Sequence, residues 1–337
     1  MGFFTEEIAI DLGTANTLII HNDKVVINSP SIVAMDRSSK KIIAIGEEAK
    51  FMQGKTHENI KTIRPLKDGV IADFEASEKM ISELIKSIPT LKKRWFSPSL
   101  TMVICIPSGI TEVEMRAVKE SAERVNGKEV YLIHEPMAAA IGIGIDIVKP
   151  KGNMVVDIGG GTTEIAVMSL GGVVYSKSLR VAGDALDGSI INFMRKKFNL
   201  LVGDSTAEKI KKEIGTAVPT TNNTFLMKGR DIRSGTPKEI ALTEEDACEA
   251  IKPILNQMLS GIKEALENTP PELSADLVDM GLVLTGGGSL LRNIDKLISR
   301  DTGLPVTIAD DPLSCVAVGT GKALENEELF STMLSEY

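Results

Sequence analysis

A chain of 337 residues has room for two large lobes, and 43% hydrophobic with 25% charged residues is enough to give each a core. A net charge of −8 excludes a general nucleic-acid binder, which needs a basic face for the phosphate backbone. No apolar run reaches the ~18 residues of a membrane span, and the start MGFFTEEIAIDLG lacks the basic n-region of a signal peptide. Cys105, Cys248 and Cys315 are too far apart for a metal or redox pair, so reduced, buried, structural thiols in a cytosolic protein are expected.

Strands and helices alternate along the chain. Ile8–Leu12, Thr17–His21 and Val25–Asn28 predict a meander, with Asn22-Asp23 as a turn. Shorter strands follow at Val33–Met35 and Lys41–Ile45. An apolar face through Phe74, Met80, Ile81, Leu84, Ile85 and Ile88 predicts a helix over 74–94, disturbed by Pro89. Thr101–Ile106 is a strand. Thr111 and Glu114 form a capping box for a helix ending near Val125. After the strand Val130–Ile133, Glu135-Pro136 opens another helix. The pattern then restarts with strands Met154–Ile158, Thr163–Ser169 and Val173–Arg180, the last two joined at Leu170-Gly171-Gly172. Helices are expected at 184–198, 204–214 and 243–267, with irregular strands and turns over 216–242. Thr269-Pro270-Pro271-Glu272 caps a further helix, Gly281–Thr285 is a strand and Ser289–Arg300 a helix. Asp311-Pro312 opens the last amphipathic segments. Each half thus begins strand, Asp-x-Gly turn, strand, strand. A duplicated chain without a flexible linker implies a ligand cleft between packed halves.

The chemistry sits in the turns. Asp11-Leu12-Gly13-Thr14-Ala15-Asn16 and Asp157-Ile158-Gly159-Gly160-Gly161-Thr162 each place an Asp at the end of an apolar strand, then glycine, then small polar residues. Glycine lets backbone N–H groups converge on an anion, and Thr14, Asn16, Thr162 and Thr163 add side-chain donors. An Asp repels phosphate, so Asp11 and Asp157 are expected to face Mg²⁺ through water. A third turn, Leu284-Thr285-Gly286-Gly287-Gly288-Ser289, suits a flat group against the backbone. Neither a GxxxxGK[ST] loop nor a strand–GxGxxG–helix unit is present. Glu135 reads two ways, as a carboxylate orienting an attacking water or as a helix N-terminal charge. By its charges alone, the helix around Glu208, Lys211 and Lys212 is a solvated face.

Taken together, DLGTANT (11–17), RPLKDGVIADF (64–74), HEPMAAAIG (134–142), DIGGGTTEIAV (157–167), AEKIKKEIG (207–215), LTGGGSLLRNID (284–295) and DPLSCVAVGTGKAL (311–324) resemble the MreB family of bacterial actin homologues across essentially the whole chain. The resemblance implies an α/β actin-like ATPase fold in four subdomains. These are 1–32 with 67–145 and 325–337, 33–66, 146–181 with 245–324, and 182–244. It implies ATP or ADP with Mg²⁺ in the cleft, Asp11 and Asp157 as water-mediated metal residues, Glu135 orienting the hydrolytic water and Thr162 assisting. The nucleotide contacts it implies are Gly13–Asn16, Gly159–Thr162, Gly183 and Asp184, with Glu208, Ile210, Lys211 and Lys212 opposite Gly286–Ser289. It further implies a weak ATPase that forms paired antiparallel protofilaments at the inner membrane surface. Such a polymer directs wall synthesis with MreC, MreD and RodZ and has no nucleic-acid partner. One departure stands out: Gly183-Asp184-Ala185-Leu186-Asp187 has Ala185 where the family usually has Glu, which puts nucleotide contact or turnover in question.

Leu91-Lys92-Lys93-Arg94-Trp95-Phe96 sets the only Trp beside cations, and the family resemblance makes Trp95 and Phe96 a membrane-insertion loop, Phe3 and Phe4 being a weaker second contact. The alternative is that both aromatics cap the local core. Competing functions within the wider superfamily are a small-molecule kinase, which would need a sugar pocket and base, and a chaperone ATPase, which would need a C-terminal peptide-binding domain.

Overall fold

A computed structural model describes residues 5–92, 98–326, 330, 333 and 334. Two five-stranded sheets are its frame, and they share one topology. In the first, Lys24–Pro30, Asn16–His21 and Thr5–Leu12 form an antiparallel meander, extended by the parallel strands Ser99–Ile106 and Gly127–His134. In the second, Gly172–Leu179, Thr163–Ser169 and Asn153–Ile158 form the meander, and Leu282–Thr285 and Val306–Ile308 are the parallel additions. The repeat inferred from two Asp-x-Gly turns is therefore a repeat of whole sheets.

Each sheet carries a core, one centred on Ile8, Ile10, Met80, Met102 and Ile104, the other on Met154, Val156, Ile190, Ile251 and Leu284. A third core joins them. The helices Glu135–Gly142 and Cys315–Glu325 pack between the sheets with Val103, Cys105, Val155 and Ala166. They approach so closely that a Cβ on Gly142 would collide with the Cys315 carbonyl, and one on Gly319 with the Ala138 carbonyl. Gly142 thus serves helix packing. All three cysteines are free; Cys105 and Cys315 are buried, and Cys248 is only half-buried.

Smaller units stand above each sheet. Ile42–Ile45, Val33–Asp36 and Ile60–Ile63 form one three-stranded antiparallel sheet, with the helix Gly46–Met52 against it. Leu200–Leu201, Thr224–Asp231 and Pro237–Thr243 form the other.

Several elements differ from the sequence reading. The helix expected over 74–94 runs from Phe74 to Ser87, because Ile88, ahead of Pro89, is pushed into extended backbone; a four-residue turn Pro89–Lys92 follows. The segment 216–242 is more regular than its composition suggests. Its core is a seven-pair hairpin whose loop is tied by Asp231 accepting from the N–H groups of Arg233 and Ser234. Gly229 sits within that hairpin because a Cβ would strike Leu200 and the Leu201 carbonyl. The helix expected at Ser289–Arg300 is a single 3-10 turn, Gly287–Leu290, then a helix Ile294–Thr302 entered through Asn293 at φ 61°. The helix Gly46–Met52 and the strands Ile60–Ile63 and Val306–Ile308 were not anticipated. Among the described residues, no helix is long and apolar enough to cross a membrane.

The second half is tied by one buried acid. Glu244, fully buried at the start of the helix Glu244–Glu267, accepts from Thr220 N, Thr221 N and Thr221 Oγ1 and pairs with Arg292 at 2.7 Å. Burial alone would raise its pKa; the Thr221, Thr220 and Arg292 contacts outweigh it and hold the group at about 2. A depressed carboxylate stabilises the fold above its unfolded pKa, and that contribution disappears as pH falls through the folded value. Glu244→Gln is therefore expected to lower stability by about 1–3 kcal/mol at pH 7. The difference from wild type should narrow as pH falls from about 4.5 towards 2. Denaturant titrations across pH measure this; a loss that stays constant down to pH 2.5 would contradict it.

Candidate functional site

The two acidic turns face each other. Both meanders aim their first strand at the space between the sheets, so the residues at the strand ends, Asp11 and Asp157, meet there. The first turn is held from behind by Ser31, whose hydroxyl donates to Gly13 O at 2.6 Å and whose N–H donates to Ala15 O at 2.9 Å. The second closes on itself through Gly159 N–H to Thr162 O at 2.9 Å. The glycines have a reason the sequence did not disclose. Gly13, Gly159, Gly160 and Gly161 do not adopt positive φ. Gly160 and Gly161 are small because the turns touch: a Cβ on Gly160 would lie 2.6 Å from the Ala15 Cβ, and one on Gly161 2.6 Å from the Thr14 hydroxyl, whereas a Cβ on Gly13 would lie 2.6 Å from Asn16 O of its own turn.

Around these turns opens a cavity of about 520 Å³, lined by both halves. Asp11, Gly13, Thr14, Ala15, Asn16, Glu135, Asp157, Gly159, Gly160, Gly161, Thr162, Gly183, Asp184, Glu208, Lys211, Lys212, Gly286, Gly287 and Gly288 all line it. Three residues of the expected set do not. Thr163 is fully buried, and its hydroxyl donates to Val181 O at 2.7 Å. Ile210 packs into the second core at 1% exposure, on the opposite face of the helix Asp204–Ile214. Ser289 is fully buried, and its hydroxyl donates to Gly286 O at 2.7 Å. Trp95, Phe96, Phe3 and Phe4 lie outside the described residues.

The triple glycine also divides its labour. Gly286, at φ 76°, and Gly288 are glycine because a Cβ on either would run into Ile158 of the neighbouring strand. Gly287 meets only the Leu313 side chain, 3.2 Å from an added Cβ. Beside them, Leu290 and Leu313 hold half-exposed apolar side chains on the cavity wall, a surface suited to a flat ring. The sequence reading passed over both leucines because an isolated Leu after a glycine turn carries no local signal. Ala185 does not line the cavity, although Asp184 and Asp187 on either side do.

Carboxylates crowd the floor. Burial and the Asp157 charge push Asp11 up to about 7. Burial takes Asp157 to about 6, although Thr285 donates a 2.7 Å hydrogen bond to it. Glu135 is raised well above the usual range, by burial first, then by Glu164, Asp157 and Asp11. Glu164 was missed. It is fully buried, in register with Asp157 on the adjacent strand, and accepts from Ser178 Oγ at 2.5 Å and Ser108 N at 3.0 Å. Repelling carboxylates in a low-dielectric pocket call for a cation. Among the described residues, no three acidic, His or Cys side chains converge into a closed metal site. That suits a Mg²⁺ ion held mainly by water and phosphate oxygens, with Asp11 and Asp157 nearby.

The rim is bridged by charge. Lys50, on the helix Gly46–Met52, reaches Glu208 at 3.2 Å, and Arg64 reaches Asp184 at 2.8 Å. Glu208 also pairs with Lys212 at 2.7 Å. Burial would raise Glu208, but Lys212 and Lys50 hold it at about 2.

The chain and its fold have counterparts. The model of the MreB/Mbl protein family matches residues 5–332. The chain belongs to the MreB/Mbl family. It is 49% identical over 330 residues to the cell shape-determining protein MreB of Escherichia coli (strain K12), covering 96% of this chain and 94% of that protein. It is 47% identical over 325 residues to the cell shape-determining protein Mbl of Bacillus subtilis (strain 168), covering 96% and 97%. Among solved structures, MreB 5 of Spiroplasma citri bound to AMPPNP superposes with a TM-score of 0.91 at 38% identity, covering 97% of this chain and 98% of that one. The MamK double helical filament superposes at 0.80 with 22% identity, which bears on the fold alone; it covers 95% and 99%. The MreB/Mbl chain described here thus has the actin-like fold.

Contact between the turns sets a simple test. In Gly160→Ala the added methyl meets the Ala15 Cβ and, at 3.1 Å, its backbone N. The turns must separate, and stability of the ligand-free protein should fall by about 1–3 kcal/mol. Unchanged thermal unfolding would mean that the turns have slack.

Proposed function

We propose that this chain is a cytoskeletal ATPase: it binds ATP with Mg²⁺ in the cleft, hydrolyses it slowly and polymerises with itself. The observation that carries the reading is the pair of interlocked glycine turns beneath Asp11, Asp157 and Glu135 in a cleft lined by both halves. Family membership supports it, as does the binding of AMPPNP and ADP by MreB 5 of Spiroplasma citri.

In this reading the backbone N–H groups of Gly13–Asn16 and Gly159–Thr162 take the phosphates, and Lys211 and Lys212 add positive charge. Leu290, Leu313 and Gly287 receive the base. A bound Mg²⁺, held through water by Asp11 and Asp157, supplies charge to offset the phosphate oxygens. Glu135 orients the attacking water with help from Thr162. Because burial and its acidic neighbours hold Glu135 well above the usual carboxylate range, it accepts a proton more readily than an exposed glutamate. No other acceptor substrate is needed, which separates this reading from a small-molecule kinase.

The polymer is proposed to consist of paired antiparallel protofilaments in the cytoplasm, peripheral at the inner face of the cell membrane. There it would determine cell shape by directing peptidoglycan synthesis with MreC, MreD and RodZ. Membrane contact is assigned to Trp95 and Phe96.

Three measurements test this. Phosphate release should fall at least about tenfold in Glu135→Ala while ATP binding is retained; equal rates would remove Glu135 from the mechanism. ATP-dependent pelleting should occur in wild type, and its absence would sink the polymer. Trp95→Ser should weaken co-sedimentation with anionic vesicles, and a variant that binds as well as wild type would end the loop assignment.

A further inference from the structure

Glu164 belongs to the acidic floor but is fully buried and does not line the cavity, so it acts there through other residues. Donors hold both of its oxygens. Oε1 accepts from the Ser178 hydroxyl at 2.5 Å, and Oε2 accepts from the Ser108 N–H at 3.0 Å. Ser178 and Glu164 share the second meander, whereas Ser108 belongs to the first half. Burying an acid is costly; here the buried acid joins the two halves.

The second-half side of the tie is a row across three strands. Asp157 is in register with Glu164, and Glu164 with Ser178, and directly paired residues project from one face of a sheet. Thr162 stands immediately before the strand Thr163–Ser169 that carries Glu164.

On the first-half side, Ile106 is in register with His134, so the residues that follow them, Pro107 and Glu135, leave the sheet side by side. Ser108 comes next after Pro107. The loop is pressed against the second half at two further points. A Cβ on Gly109 would lie 2.8 Å from the Ser178 Cβ. One on Gly69 would lie 2.7 Å from Thr162 Cγ2 and 2.9 Å from Pro107 Cγ, so Pro107 and Thr162 approach a common point. The loop beside Glu135 and the strand behind Thr162 are therefore joined at the Glu164–Ser108 bond. Among the acids whose charge adds to burial in raising Glu135, Glu164 acts most strongly, ahead of Asp157 and Asp11.

We propose that Glu164 is a positioning residue for hydrolysis: by tying Ser108 to the strand behind Thr162, it sets the distance between Thr162 and Glu135 across the cleft. The proposal rests on the roles given above to Glu135 and Thr162. It places the effect in turnover, because a misplacement of about 1 Å can cost about a hundredfold in rate. Nucleotide affinity is left to the glycine turns, which Glu164 does not touch.

Phosphate release at saturating ATP and Mg²⁺, with ATP affinity measured alongside, tests it on the full chain. Glu164→Ala cuts the tie, so kcat should fall at least about tenfold while affinity stays within about threefold. Glu164→Gln removes the charge but keeps the tie, since its amide oxygen can accept from Ser108 N–H while its amide N–H donates to the Ser178 hydroxyl. It should hydrolyse within about threefold of wild type. Glu244→Gln, which weakens the fold elsewhere, should keep the wild-type kcat. The proposal is overturned if Glu164→Ala turns over like wild type, or if its loss lies in affinity. It is also overturned if Glu164→Gln falls as far as Glu164→Ala, which would make the charge the active feature, or if Glu244→Gln falls as far, which would make the loss one of stability. Should Glu164→Ala not fold, Ser178→Ala decides: freeing Oε1 should lower kcat several-fold, and an unchanged kcat overturns the proposal. A slow Glu135→Ala beside a fast Glu164→Ala would remove this proposal alone, whereas a fast Glu135→Ala would remove the reading on which it rests.

Discussion

Everything in this molecule is arranged around four carboxylates that have no reason to be together in the protein alone. Asp11, Asp157, Glu135 and Glu164 sit where the two sheets meet; burial raises the pKa of each, and repulsion from acidic neighbours adds to it at Asp11, Glu135 and Glu164. Hydrogen bonds from Thr285, Ser178 and Ser108 soften this without cancelling it. Such a cluster holds the ligand-free fold under electrostatic strain. The remedy is external positive charge, which is why a phosphate-bound cation suits the cleft better than a closed protein metal site.

Duplication explains how the cluster is assembled. Two copies of one sheet topology, each ending its first strand in Asp, bring Asp11 and Asp157 together once the copies pack face to face. The copies have since diverged in what they add. The first supplies Glu135, at the head of a helix that fills the inter-sheet core, and reaches over the rim with Lys50 and Arg64. The second supplies the helices carrying Asp184, Asp187, Glu208 and Lys211, and the glycine turn beside Leu290 and Leu313. The cavity wall is therefore shared between the halves, while the glycine turn beside Leu290 and Leu313 comes from the second alone.

What the sequence made legible follows from the range of each interaction. Asp-x-Gly turns at strand ends are local, and both were readable with their place in the cleft. The physical reason for their glycines was not, because Gly160 is opposed by Ala15 from the other half, a contact no local pattern encodes. Lys50 and Glu208 are 158 positions apart, and by spacing alone the Glu208 helix was a solvated charged face. Ile210 and Ser289 were carried into the expected site with their motifs, though the helix turns one inward and the 3-10 turn buries the other. The hairpin Thr224–Asp231 with Pro237–Thr243 was obscured by Thr, Asn and Gly, whose turn preferences hid a strand pattern completed by pairing.

The rim and the floor differ in strength, and that difference bears on how the cleft responds to its ligand. At the floor, the helices Glu135–Gly142 and Cys315–Glu325 are locked at backbone contact through Gly142 and Gly319. At the rim, the Lys50–Glu208 and Arg64–Asp184 pairs are about one-third exposed, and such pairs are worth about 0–1 kcal/mol each. Moving a two-state equilibrium from 1:99 to 99:1 takes about 5.5 kcal/mol. Two rim pairs fall short of that, so they bias closure without fixing it. A cation brought to the carboxylates would offset the repulsion that adds to burial at Asp11, Glu135 and Glu164. The pairs at the rim therefore cannot by themselves fix the relative position of the two halves.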